Sequence, residues 1–259
     1  MTEPFGRSLE GKAILITGGL QGLGLEIARH AQANGASRIV LAGRDESKSA
    51  SARAELPQAE FVFGELADPA VPARLIAKAL AAGPLDGLVN VAGVTDRASF
   101  LDGTAETWDK VFAVNARAPF LLMSGMIRHL RERRAPGSIV NIQSMNAHCG
   151  TSELAIYSAS KGALQTLTRN AANAHLADRI RVNGINMGWA ATEGEQVMQS
   201  RILGKGDNWA ETAASTRPLG RLLETSEVAR LAVYLLSDLS GLQTGTNVDL
   251  EQWVVGAPR

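Results

Sequence analysis

Tyr157 and Lys161 stand four residues apart in the run Tyr157-Ser-Ala-Ser-Lys161. On a helix that spacing puts both side chains on one face, a turn apart. A free tyrosine, with a pKa of about 10, is a poor proton carrier at neutral pH. A neighbouring ammonium stabilises the phenolate and brings that pKa toward the working range. The pair is therefore a candidate for moving a proton at a carbonyl or an alcohol. The same spacing also occurs on ordinary helix surfaces, so its meaning depends on the rest of the chain.

A second candidate lies near the N-terminus. Lys12-Ala-Ile-Leu-Ile-Thr17 is an apolar run suited to a buried parallel strand. It leads into Thr17-Gly18-Gly19-Leu20-Gln21-Gly22-Leu23-Gly24, and an amphipathic stretch from Leu23 to Asn34 follows. Strand, glycine loop and helix in that order are what a dinucleotide-binding loop requires. Gly18 can take the tight turn. Gly22 lets the backbone approach a pyrophosphate, whose charge the helix N-terminus favours. Gly24 permits close packing of helix on strand. No Gly-Lys-Ser/Thr ending is present, which excludes a P-loop.

These pieces, with their order and spacing, resemble the short-chain dehydrogenase/reductase family from about Gly11 to about Asp249. The family's Thr-Gly-x-x-x-Gly-x-Gly is matched by Thr17, Gly18, Gly22 and Gly24. Its Asn-Asn-Ala-Gly reads Asn90-Val91-Ala92-Gly93, with one Asn replaced. Its active-site Asn matches Asn115, its strand-end Ser matches Ser144, and its Tyr-x-x-x-Lys is Tyr157 and Lys161. The resemblance implies an NAD(P)-dependent oxidoreductase. In it Tyr157 is general acid or base, Ser144 stabilises charge on the reacting oxygen, and Lys161 tunes Tyr157 and binds the nicotinamide ribose. Asn115 positions a water leading from Lys161 to solvent. The dinucleotide is expected on the loop residues Gly18, Gln21, Gly22, Leu23 and Gly24. Further along it meets Arg44, Glu65 and Leu66, then Asn90, Ala92 and Gly93, and finally Gly188 and Thr192. A sensor that binds dinucleotide without turnover, or an interaction protein on the same fold, is the alternative.

NAD against NADP turns on the end of the second strand, Ile39-Val-Leu-Ala-Gly43-Arg44-Asp45. An acid about 20 residues past the glycine loop holds the ribose hydroxyls of NAD. Gly43 stands there instead and would leave room for a 2′-phosphate, which Arg44 can bind. NADP is therefore expected. NAD is the alternative if Asp45 reaches the ribose; Asp45 could equally cap the next helix.

The elements that must position these residues alternate strand and helix. Strands are predicted at Lys12–Thr17, Arg38–Ala42, Glu60–Phe63, Gly87–Val91, Ser138–Gln143, Arg181–Asn186 and Thr246–Asp249. Helices are predicted at Leu23–Asn34, Pro69–Ala82, Ala105–Arg134 (kinked near Pro119), Ala155–Leu176 and Ser226–Leu236. Asp68 is expected to cap the second of these, with Pro69 at its first position. The expected fold is α/β, one doubly wound Rossmann-type domain over residues 1–259, with a mostly parallel seven-stranded sheet and helices on both faces. Residues 190–216 are expected as a mobile flap over the substrate, the competing reading being an ordinary loop and short helix. The tail, about 250–259, departs from the family's Val-Asp-Gly-Gly as Val248-Asp249-Leu250-Glu251-Gln252-Trp253. It is either a surface tail or part of a substrate pocket. Trp189 replaces the residue after the family's Pro-Gly.

Candidate substrate contacts are Ser144, Asn146, His148, Glu153 and Trp189, with Thr95, Arg97 and Glu193 nearby. Such polar lining suits a sugar or polyol, because unpaired buried donors cost about 1–3 kcal/mol each. Lys+Arg is 26 and Asp+Glu is 26 over 259 residues, so charge gives no argument for nucleic acid or acidic membranes. Cys149 is the one cysteine, which excludes an intrachain disulfide. The histidines lack ligand spacing, so no metal is expected. The Met-Thr-Glu-Pro start is no secretory signal and no run is long enough to span a bilayer, so a cytoplasmic enzyme is expected. The resemblance also implies a homo-oligomer, dimer or tetramer, formed through the helices at Ala105–Arg134 and Ala155–Leu176.

Overall fold

A computed structural model describes residues 6–257. Strand β1 (Ala13–Thr17) is buried at all five positions, which is the pattern of a strand covered on both faces. It is followed by α1 (Gly22–Ala33), β2 (Arg38–Gly43), α2 (Ala50–Glu55), β3 (Glu60–Phe63), α3 (Val71–Ala81) and β4 (Gly87–Asn90). The second half runs α4 (Ala105–Phe112), α5 (Ala118–Arg133), β5 (Gly137–Ser144), α6 (Ala155–Ala174) and β6 (Ile180–Met187). It ends with α7 (Glu193–Gln196), α8 (Trp209–Ser215), α9 (Thr225–Leu236) and β7 (Asn247–Leu250). The seven strands form one sheet in the order β3-β2-β1-β4-β5-β6-β7, with every neighbouring pair parallel. The chain leaves β1 in one direction to β3 and returns to β4 on the other side. The crevice between β1 and β4 is thus a switch point, where such sheets bind ligands.

Side chains alternate faces along each strand. Ile14 and Ile16 join Leu23, Ile27, Val228 and Val233 of α1 and α9 on one face. Ala13 and Leu15 join Leu75, Leu122 and Met126 of α3 and α5 on the other. Each fully buried Leu or Ile contributes roughly 1.5–3 kcal/mol, so both layers hold the strand ends in register.

Three expected elements differ in ways that matter. The single helix at Ala105–Arg134 is two helices joined by a wide π turn over Ala113–Arg117, in which the Ala118 N–H donates to the Ala113 carbonyl. Pro119 has no N–H to give the carbonyl four residues back, that of Asn115. The wide turn replaces a proline kink, and such turns frequently mark functional sites. Helix α3 starts at Val71, because Asp68 Oδ1 accepts from Ala70 N at 2.8 Å and closes a turn first. Pro72, not Pro69, occupies the first helical turn. Residues 190–216 fold into α7, a second wide turn and α8. They are anchored by a small core of Trp209, Ala213 and Leu222, against which Trp189 packs.

Candidate active site

The carboxyl ends of β1, β4, β5 and β6 open into a cleft of about 1220 Å³. The glycine loop forms one wall. Gly18 (φ +65°) and Gly22 (φ +52°) are left-handed, a conformation glycine enters without strain. A Cβ on Gly24 would lie 2.2 Å from the Gly18 carbonyl oxygen, so only glycine lets α1 start this close to the loop. A Cβ on Gly22 would meet nothing within 4 Å, and the Gln21 side chain makes no capping bond, so the first turn of α1 is bare toward the cleft. Thr17 Oγ1 accepts from Val91 N at 3.1 Å and Ala92 N at 3.2 Å, tying the loop to the exit of β4.

The end of β2 holds a correction. A Cβ at Gly43 would lie 2.1 Å from Leu20 Cδ1, so Leu20 packs against this strand end and takes part of the space expected beside Gly43, which still lines the cleft. Arg44 does line the cleft, 3.5 Å from Glu65, and both side chains are mostly exposed. Lys48, which sequence reasoning passed over, lines it too. Asp45 caps the next turn, its Oδ1 accepting from Ser47 N at 2.9 Å and Ser47 Oγ at 2.7 Å. The serine bonds hold its carboxyl below the usual range. Asp45 thus caps the next helical turn, the competing reading of that residue, whereas that turn and α2 are not among the helices predicted from sequence.

Ser144 ends β5 and lines the cleft beside Tyr157 and Lys161 of α6. Ser144 Oγ accepts from Asn146 N at 3.2 Å. Lys161 Nζ donates to the Ile142 carbonyl at 3.0 Å and stands 5.8 Å from the Tyr157 ring centroid. Burial alone pushes Lys161 down to about 8. Tyr157 goes the other way, to about 12: burial raises it, a hydrogen bond with Ser144 pulls it down, and the Glu195 carboxylate raises it again. The expected lowering of the tyrosine pKa by Lys161 is therefore absent from this geometry. The phenol, 9% exposed, loses more phenolate solvation by burial than its neighbours return.

Two expected residues do not face the cleft. Asn90, 2% exposed, donates from Nδ2 to Asn141 Oδ1 at 2.8 Å and joins β4 to β5. Asn115, fully buried, clamps Val94 from the π turn: its Oδ1 accepts from Val94 N and its Nδ2 donates to Val94 O, both at 2.9 Å. Its second donor contact is Ser160 Oγ, at 3.0 Å. Gln21, Leu23, Glu65, Leu66, Ala92, Gly93, Gly188 and Thr192 do line the cleft. The Thr192 hydroxyl caps α7, accepting from Glu195 N at 3.1 Å.

At the substrate end Asn146, His148, Glu153, Thr95, Arg97 and Trp189 line the cleft, whereas Glu193 does not. Glu195, two residues on, takes its place and accepts from Trp189 Nε1 at 2.8 Å. With two glutamates at adjacent odd positions, only the tertiary packing of α7 distinguishes them. Arg97 pairs with Glu153 at 2.7 Å, and His148 Nε2 lies 2.9 Å from Asp249 Oδ1. The tail reaches this chain's own cleft through Glu251, Trp253, Val254 and Val255. Among the described residues no cluster of His, Cys, Asp or Glu could hold a metal, and no helix is long and apolar enough to cross a membrane.

A bare glycine-rich helix start at the switch point, with a buried Tyr–Lys pair at the far end of the same cleft, defines a dinucleotide-binding oxidoreductase. A family model described as enoyl-(acyl carrier protein) reductase matches residues 18–252. L-xylulose reductase of Bos taurus is 34% identical over 253 residues, covering 94% of this chain and 96% of that one. Carbonyl reductase [NADPH] 2 of Sus scrofa is 32% identical, covering 93% and 95%. A solved structure titled short chain dehydrogenase/reductase family protein superposes with a TM-score of 0.82 at 32% identity, covering 94% and 97%. The chain belongs to the short-chain dehydrogenase/reductase family and is an NAD(P)-dependent oxidoreductase acting between carbonyl and alcohol groups on a small molecule.

Proposed function

We propose that the protein reduces a polyhydroxylated ketone with NADPH, Tyr157 being the proton donor. The observation that carries this reading is the buried Tyr157 phenol, hydrogen-bonded with Ser144 in the cleft and 5.8 Å, ring centre to ammonium, from Lys161. A protonated phenol in that place can give its proton to the oxygen of a carbonyl that becomes an alcohol. The bound nicotinamide supplies the hydride. Ser144 Oγ holds the substrate oxygen and stabilises its growing negative charge. Tyr157 Oη gives that oxygen its proton. Lys161 supplies a nearby positive charge as the phenolate forms, and Asn115 keeps the Val94 backbone and the α6 face in place behind it. The loop at Gly18, Gly22 and Gly24 and the start of α1 would hold the pyrophosphate.

NADP is supported by Arg44 and Lys48 at the end of β2, where the one nearby aspartate, Asp45, is engaged as a cap. The relative named for NADPH points the same way. A sugar-like substrate is supported by the polar lining at Thr95, Asn146, His148 and Glu153 and by the relative named L-xylulose reductase. We read the chain as one domain. Its oligomer, a dimer or tetramer, would form through α4, α5 and α6, where Trp108 (46%) and Phe120 (50%) stand partly in solvent. A cytoplasmic location agrees with its single, free cysteine. The test is initial rates with NADPH and NADH across ketoses, polyols and diketones. Tyr157→Phe is expected to abolish turnover while dinucleotide binding, read by fluorescence titration, is kept. Equal turnover by the variant would end the assignment.

A further inference from the structure

Three of the six lysines and arginines lining the cleft have an acidic or carbonyl partner. Arg44 pairs with Glu65, Arg97 with Glu153, and Lys161 donates to the Ile142 carbonyl. Lys205 and Arg217 are different. The Lys205 ammonium lies 5.9 Å and the Arg217 guanidinium 5.2 Å from the centre of the same ring, that of Trp189. Neither makes an ion pair among the described residues; Arg217 Nε is buried with no hydrogen-bond partner, as is Arg97 Nε, but Arg97 keeps its Nη1 pair with Glu153 whereas Arg217 has no acidic partner. A buried charged donor left unpaired is destabilising, so its persistence in a cleft wall points to a ligand.

Their position is at the substrate end. Trp189 follows β6, and its ring is fixed by its Nε1 bond to Glu195 and by Trp209, 5.9 Å away. Glu195 in turn is near enough to Tyr157 to act on its charge. Arg44 and Lys48, by contrast, sit at the end of β2, four strands from β6 in the sheet. At about 4.8 Å per strand that is about 19 Å, so the two basic patches serve opposite ends of the cleft.

We propose that Lys205 and Arg217, held against Trp189, form a subsite for an anionic group on the substrate, and that the preferred substrate is a polyhydroxy ketone ending in a carboxylate. This rests on the sugar-ketone reading above. Glu195 and Glu251 line the same region. Their two negative charges offset the two cations, which favours a monoanion over a phosphate dianion. Glu195 already accepts from Trp189 Nε1 and from Gln199 Nε2 at 2.6 Å, and Glu251 Oε1 from Gln252 N at 2.6 Å. Both carboxylates are thus tied into the wall through one oxygen each, and neither pairs with Lys205 or Arg217 among the described residues.

5-Keto-D-gluconate and L-sorbose differ only in a carboxylate against a hydroxymethyl group at the end remote from the ketone. With NADPH, kcat/KM is expected to favour the acid by about tenfold or more, as charge-assisted hydrogen bonds are the stronger ones. Added salt should erode that preference. Arg217→Met and Lys205→Gln should each reduce the ratio, and the pair should remove it, whereas Arg217→Lys should keep most of it. Equal kcat/KM for the two sugars, or an unchanged ratio in the double variant, overturns the subsite. A ketose phosphate preferred over both overturns the carboxylate assignment. Should the wild-type enzyme turn over none of these sugars, the sugar reading fails separately. The subsite is then read by calorimetry of the NADP-loaded protein with gluconate against D-glucitol. Gluconate binding lost in Arg217→Met upholds the subsite, and equal binding of both compounds overturns it.

Discussion

Lys161 should make the folded chain weaker at the very place where it makes it useful. Its ammonium is buried, and burial alone moves its pKa from 10.5 to about 8. At about 1.4 kcal/mol per pKa unit, that gap is a penalty of about 3 kcal/mol at pH 7, where folded and unfolded chains both carry the proton. The folded pKa is depressed, so between about pH 8 and 10.5 the unfolded chain holds a proton that the folded chain lacks. Stability therefore rises with pH across that window. By pH 9.5 about 2 kcal/mol of the penalty is relieved. Tyr157, raised to about 12, acts with the opposite sign but only above about pH 10. Lys161→Met keeps the length of the side chain and removes the charge, along with the bond to the Ile142 carbonyl, worth about 1 kcal/mol. The variant should be about 2 kcal/mol more stable than wild type at pH 7 and nearly inactive. Urea unfolding of dinucleotide-free protein, followed by circular dichroism at pH 7 and 9.5, measures both terms. Wild type should gain stability between the two pH values and the variant should lack that gain. A variant less stable at pH 7, or an equal pH response in both proteins, would refute the burial argument.

Three further perturbations follow from the same geometry. Gly24→Ala places a methyl 2.2 Å from the Gly18 carbonyl, so it should lose roughly 1–3 kcal/mol of stability, seen as a lower Tm, and most dinucleotide affinity by titration. Glu195→Gln removes a negative charge that raises Tyr157, so in alcohol oxidation the rise of kcat with pH should move to lower pH; an unmoved profile would separate Glu195 from the tyrosine. Arg44→Ala combined with Lys48→Ala should raise KM for NADPH by about tenfold or more and leave NADH nearly unchanged, since on the proposed NADP reading the lost contacts would be to a 2′-phosphate; equal effects on both cofactors would argue for another role.

Sequence alone determined the layered sheet and its order of elements. Alternation of apolar runs with amphipathic stretches leaves few ways to bury both, and the glycine loop's conformation follows from residue type at Gly18 and Gly22. Tyr157 and Lys161 were legible because a helix period is local. What only the tertiary structure decided depends on groups far apart in the chain. Gly43 reads as open space until Leu20 is seen to pack beside it. Asn90 and Asn115 read as cleft residues, yet their amides join β4 to β5 and clamp Val94. Glu195 against Glu193, and the gathering of Lys205 and Arg217 on Trp189, carry no periodic signal. The tyrosine pKa is the sharpest case. Spacing says that an ammonium is near, but only burial, which the whole fold creates, says that desolvation outweighs it.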